Sequence, residues 1–246
     1  MAHAGPGPAV PFGAPLRRGT FVRRYKRFFV DVVLDDGTTA TAHTANTGAM
    51  TGLLVPGAPV LLTVHEGGKR ALPLEVEAID PGAGFVACNT IRANRVAEAF
   101  LRAGVIDGLS PATGALVREV RVDDGSRIDF ALGDVLVEVK SVTLRGDDGR
   151  GLFPDAVSER GRRHLGVLSA AARAGGGTNG TPRAALLFLA QRADVDAVAA
   201  AAVIDPAYAA ALRDAHRAGV LLRAARVLVD ADAGALVFGG LLPVHP

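Results

Sequence analysis

The sequence predicts an α/β (α+β) protein in two parts, a small N-terminal β-barrel and a following domain built on a central mixed sheet. Three observations carry that expectation. Short apolar runs separated by turn residues fill the chain to about Ile79. Between Thr90 and Ala103 the hydrophobic period becomes helical. Beyond that point strand-like and helix-like segments alternate, the pattern of a sheet covered by helices. With 246 residues and 25.2 kDa the chain can bury two modest cores.

Taken in order, Phe21–Phe29 and its continuation Asp31–Leu34 are expected as strand, with Asp35-Asp36-Gly37 a hairpin turn and Thr38–His43 its partner. Leu53–Val55, Pro59–Val64 and Leu72–Ile79 follow as short apolar runs, separated by Pro56-Gly57 and Glu66-Gly67-Gly68-Lys69. Five or so short strands fit a small barrel. A different small β module would fit the same pattern.

Val96, Phe100 and Leu101 recur at helical spacing in Arg92–Arg102, and Gly104 ends the run. The domain boundary is expected near Ile79–Asn89. Leu116–Val122, Arg127–Leu132 and Val135–Val142 are expected strands, with turns at Asp123-Asp124-Gly125 and Gly133-Asp134. Ser158–Arg173 is a helix, Gly175–Gly180 a loop, and Arg183–Gln191 a strand buried on both faces. Pro206–Arg217 is the last helix and Val220–Asp230 the last core strand.

Composition excludes several classes. Cys88 is the only cysteine, so neither an intrachain disulfide nor a cysteine-built zinc cluster can form. No apolar run suits a membrane span and no signal peptide is expected at the N-terminus, so the cytoplasm is the expected home. The net charge of +2 neither requires nor excludes nucleic acid. Of the basic residues 24 are arginine and three are lysine, which gives weight to where Lys140 stands. Phosphate-binding Gly-rich loops, His-Glu-x-x-His and Gly-x-Ser-x-Gly are absent.

One constellation carries chemistry. In Val135–Val142 the residues Glu138 and Lys140, two apart on a strand, point to one side. Asp129, on the neighbouring strand, can reach the same face. Two carboxylates and a lysine at a strand's end suit metal-assisted phosphodiester cleavage, with Mg²⁺ (or Mn²⁺) on the acids and Lys140 near the developing charge. A cross-strand ion pair on a solvated face is the plainer alternative. Glu119, ten residues before Asp129, is a candidate third acid or a surface residue beside Arg118 and Arg121. Asp155 is an extra ligand or a helix-start acceptor, while Arg160 and His164 share a helix face and could meet a phosphate.

In the first part Arg23-Arg24-Tyr25-Lys26-Arg27 interleaves cations with an aromatic ring, as a nucleic-acid surface does. A basic strand with its aromatics turned to the core fits equally. His43-Thr44-Ala45-Asn46-Thr47-Gly48 is a polar turn, and Asn89, Arg92 and Asn94 gather at the domain junction.

From Phe21 to about Ala225 the chain resembles the SfsA family, the sugar fermentation stimulation protein homologues. The resemblance runs through Phe21–Phe28, Ala42–Met50, Asn89-Thr90, Ala93-Asn94, Ser126–Phe130, Glu138–Leu144, Phe153–Gly161 and Ile204–Tyr208. It implies an OB-like barrel over residues 1–85, with 1–15 a flexible tail, and a PD-(D/E)xK restriction-endonuclease-like domain over 86–246. It implies catalytic roles for Asp129, Glu138 and Lys140, with Glu119 upstream and Asp129, Glu138 and Glu119 on the metal. The expected partner is nucleic acid, DNA before RNA, touched by Arg23, Arg24, Tyr25, Lys26, Arg27, His43, Asn46, Asn94, Arg160 and His164. A DNA-binding regulator is the alternative role, and a homodimer is left open.

Overall fold

The structure is a computed structural model, described over residues 7–65, 71–111, 114–122, 125–174 and 183–246. The expected turn at 66–69, the loop at 175–180 and Asp123-Asp124 lie outside the described residues. The chain opens with β1 (Ala9–Pro11). Then come β2 (Leu16–Tyr25), β3 (Phe29–Leu34), β4 (Thr39–His43), β5 (Pro59–Val64), β6 (Leu74–Ile79) and β7 (Val86–Ala87). Helix α1 (Arg92–Arg102) precedes β8 (Leu116–Arg121), β9 (Arg127–Leu132), β10 (Val135–Val142), β11 (Leu144–Arg145) and β12 (Gly151–Phe153). After α2 (Glu159–Arg173) come β13 (Ala184–Ala190), β14 (Val198–Ala200) and α3 (Pro206–Arg217). The chain closes with β15 (Leu221–Asp230), β16 (Ala235–Leu242) and β17 (Val244–His245).

Strands β2 to β6 make an OB-like barrel in the order β4-β3-β2-β5-β6, closed where β4 meets β6 at His43 and Glu75. Its interior holds Phe21, Val30, Val32, Met50, Leu62 and Val76. The alternation of buried and half-exposed residues along β3 is what turns one face inward. The expected strand Phe21–Phe29 is broken: Lys26 and Arg27 adopt left-handed backbone (φ 46 and 65) and reverse the chain between β2 and β3.

The second domain has a mixed sheet in the order β1-β16-β15-β13-β10-β9-β8, with β10, β13 and β15 parallel. All seven residues of β13 are buried because both faces are covered. On one side α1 packs Val96, Phe100 and Leu101 against Val137 and Leu187. On the other, α2 and α3 pack Leu165, Leu168, Tyr208 and Leu212 against Leu186 and Phe188. Both of these helices start on a side-chain cap, Ser158 accepting from the Gly161 N–H and Asp205 from the Tyr208 N–H.

Two expectations need correction here. Residues 9–11 of the supposed flexible tail form β1, which pairs with Ala235–Val237, because Val10 and Phe12 are apolar and find a place in the second domain's core. Val220–Asp230 is also not the last core strand. Gly239 and Gly240 interrupt the apolar pattern of β16, yet β16 pairs along β15. A small sheet, β11-β12-β14-β17, was likewise not anticipated.

The two domains are tied together at α1. Glu77 of β6, fully buried, receives hydrogen bonds from the Arg92 guanidinium, from Asn89 and from Thr63. Thr90 Oγ1 donates to the Ala45 carbonyl, and the Ala49 N–H donates to Asp155. Among the described residues no helix is long and apolar enough to cross a membrane.

Candidate active site

The β9–β10 ladder pairs Leu132 with Val135 and Phe130 with Val137, and there it stops. One step further the two strands part. The Asp129 carboxylate takes the place of a backbone acceptor and receives the Val139 N–H at 2.8 Å. Its other oxygen accepts from Asn94 Nδ2 of α1 at 2.9 Å. Glu138 lies at this fork and is only 2% exposed.

Glu138 Oε1 accepts from Lys140 Nζ at 2.6 Å and from His164 Nδ1 of α2. Glu138 Oε2 is buried and has no hydrogen-bond partner among the described residues. The Tyr208 hydroxyl of α3 is also buried without a partner among the described residues, and burial, followed by the charge of Glu138, raises its pKa. Such atoms are rare in native proteins and each calls for an explanation.

Electrostatics separate the two acids. Burial, followed by the charge of Glu138, raises the Asp129 carboxyl above the ordinary aspartate range, against the Val139 and Asn94 hydrogen bonds and Lys140. Burial pushes Glu138 upward too, but the His164 hydrogen bond and Lys140 outweigh it and hold the carboxyl below its ordinary value. Arg160 Nε lies 3.4 Å from His164 Nε2. A guanidinium can only donate, so this contact selects the tautomer with its proton on Nδ1, directed at Glu138.

Asn94 thus holds Asp129, while Lys140, His164 and Arg160 are linked to Glu138, and the two acids feel each other through charge. Asn94 and His164, expected to touch nucleic acid, hold the two acids. His164 is 3% exposed, because α2 packs directly on β10. Glu119 does not join. It has left-handed backbone (φ 51), is skipped in the β8–β9 pairing opposite Asp129, and pairs with Arg127 at the surface.

The barrel residues divide as well. Arg24 donates to the Arg27, Gly48 and Asn46 carbonyls, which fixes the polar turn. Asn46 is buried and accepts from the Gly48 N–H. Arg23 pairs with Asp31 and lies over the Tyr25 ring, while Arg27 donates to the Thr47 carbonyl. Lys26 is exposed and has no side-chain partner among the described residues. His43 stacks on Phe28 and faces Glu75. Tyr208 went unrecognised as a neighbour of the acids, since its helical spacing reads only as core.

Comparison with known proteins agrees with this architecture. Residues 22–88 match the family model described as the SfsA N-terminal OB domain, and residues 91–233 match the sugar fermentation stimulation protein RE domain. The sugar fermentation stimulation protein homolog of Rhodospirillum centenum is 45% identical over 214 residues, covering 85% of this chain and 89% of the relative. That of Syntrophotalea carbinolica is 44% identical, covering 88% and 92%. A solved structure, that of Pyrococcus furiosus SfsA in complex with Ca2+, superimposes with a TM-score of 0.80 at 26% identity, covering 97% of this chain and 99% of that one. With both domain models matched in order and relatives similar along most of their length, the chain belongs to the SfsA family.

Proposed function

We propose that this protein is a metal-dependent nuclease of the PD-(D/E)xK type that hydrolyses phosphodiester bonds of DNA or RNA. One observation carries the proposal. Glu138 is buried, with one oxygen held by Lys140 and His164 and the other without a partner among the described residues, beside an Asp129 whose carboxyl its charge disturbs. A divalent cation between the two acids would remove both costs.

The donor set suits Mg²⁺ (or Mn²⁺). Mg²⁺ takes one or two carboxylates and keeps several waters, so the absence of a third clustered His, Cys, Asp or Glu among the described residues is no obstacle. The archaeal relative described as a complex with Ca2+ is consistent with a hard-cation site in this fold. When bound, the metal would supply Lewis-acid activation of the phosphate and of a water.

The chain's own residues do the rest. Asn94 and the Val139 N–H orient Asp129. His164 fixes Glu138 so that Oε2 is the free oxygen. Lys140, 14% exposed, offers a cation to the charge that develops on phosphate. The test is cleavage of a mixed panel of labelled DNA and RNA with and without Mg²⁺. Wild type should cleave only with metal, Asp129→Ala and Glu138→Ala should not cleave, and nucleic-acid binding should survive in both. Binding without cleavage by wild type would favour the non-catalytic regulator.

A further inference from the structure

Two surfaces flank the turn between β2 and β3. On one side the exposed Lys26 and Arg27 stand by Thr47 and Gly48, a cationic shelf. On the other side a cavity of about 390 Å³ is lined by Phe29, His43, Ala71, Leu72, Glu75 and Ile91. That volume lies within the range of small-ligand sites. Its walls are aromatic and aliphatic, and a carboxylate lies in its lining. Ile91 of the lining is 71% exposed, and Phe28, stacked on His43, is 40% exposed, two large apolar side chains left in water. The Phe28 and His43 rings stack on each other, parallel within 1° at 6.1 Å between centroids, and the outer faces of this two-ring stack are its flat platform.

Flat π-faces beside a cation are the chemistry that takes an unpaired base and its phosphate. A paired base offers no free face to such a platform. The position also fits. Ile91 immediately precedes α1, and Asn94, one helical turn on, holds Asp129. A base in the cavity would thus lie against the residue that leads into the helix holding Asp129.

We infer that the cavity beside His43 binds an unpaired nucleobase, and that the strand presented to the Asp129–Glu138 site is single-stranded. The inference rests on the nuclease proposal for its second half only. The cavity stands or falls on binding.

Binding is measured in EDTA, where no metal-dependent cleavage can occur. The probes are a labelled single strand of mixed sequence, an abasic strand of equal length and the corresponding duplex. Wild type should bind the base-bearing strand roughly tenfold more tightly than the abasic one, the scale of a single stacked base. His43→Ala and Phe28→Ala should bring that ratio near one, while His43→Phe keeps it. The salt dependence should stay unchanged in all three, because the phosphate contacts remain. Equal binding of the two strands by wild type would overturn the inference. So would an unchanged ratio in both alanine variants, or an equal loss of duplex binding. Base-dependent binding without Mg²⁺-dependent cleavage would instead remove the nuclease proposal and leave the cavity.

Discussion

His164 directs its Nδ1 proton at Glu138 Oε1 across the packing between α2 and β10, and both side chains are almost wholly buried. Removing this donor leaves Lys140 as the one partner of a buried carboxylate among the described residues. His164→Ala should lower stability by roughly 1.5–3 kcal/mol, the worth of a charge-assisted hydrogen bond. His164→Asn, which offers an amide donor, should recover part of the loss. Urea unfolding of the three proteins measures it, and equal midpoints would show that the contact contributes nothing.

Asp129 is strained in the other direction, since burial and Glu138 disfavour its charge. Asp129→Asn should therefore raise the melting temperature of the metal-free protein at neutral pH, by about 1 kcal/mol in stability. Added Mg²⁺ should raise the melting temperature of wild type and not of the variant. A variant less stable than wild type in EDTA would contradict the electrostatic account.

The pH dependence of the two acids has opposite sign. The Glu138 pKa is depressed in the folded protein, so its stabilisation is full above the ordinary glutamate value and fades as pH falls through the depressed one. Asp129, with its pKa raised, favours the folded state at low pH and loses that advantage as pH rises through the raised value. Relative to Glu138→Gln, wild type should lose stability on acidification. Relative to Asp129→Asn, it should lose stability as pH climbs out of the ordinary aspartate range. Chemical denaturation across a pH series reads both slopes.

Glu77 is fully buried in the barrel wall and answered by Arg92 from α1. Arg92→Ala should cost about 3–5 kcal/mol, because the carboxylate then stays buried without its cation. Glu77→Leu combined with Arg92→Met should cost far less. A double-mutant cycle that finds the two changes additive would dissolve this tie between the domains.

A side chain at position 48 meets the other domain directly. A Cβ there would lie 2.4 Å from Asp155 Oδ2 and 3.0 Å from Asn46 Oδ1. Gly48→Ala should destabilise by about 1–3 kcal/mol through overpacking. Gly48→Ala with Asp155→Ala should recover part of it. Thermal unfolding of both variants gives the comparison.

Much of this arrangement was legible in local signals. The helices beginning at Ser158 and Pro206 follow from period and turn residues, and the two-residue spacing of Glu138 and Lys140 puts them on one side of a strand. What escaped depends on distant partners. His164 is 26 residues from Glu138, and only the packing of α2 on β10 turns it from a surface histidine into a buried donor. Arg24 has the composition of a phosphate contact, but the carbonyls of residues 46 and 48 take its guanidinium. Glu119 was placed by counting along a regular strand, and one left-handed residue ended the count. Strand β16 carries two adjacent glycines, and its outer partner is β1, at the opposite end of the chain.

That last pairing has a consequence for how the molecule can be divided. Strand β1 lies in the sheet of the second domain, the chain then leaves to make the barrel, and it returns at α1. The barrel is therefore an insertion, anchored at both its ends, and cannot swing on a single tether. A fragment starting at Cys88 would keep every acid of the proposed site yet lose β1. Ala235, Leu236 and Val237 would then present an open strand edge, ready to join the same edge of another copy.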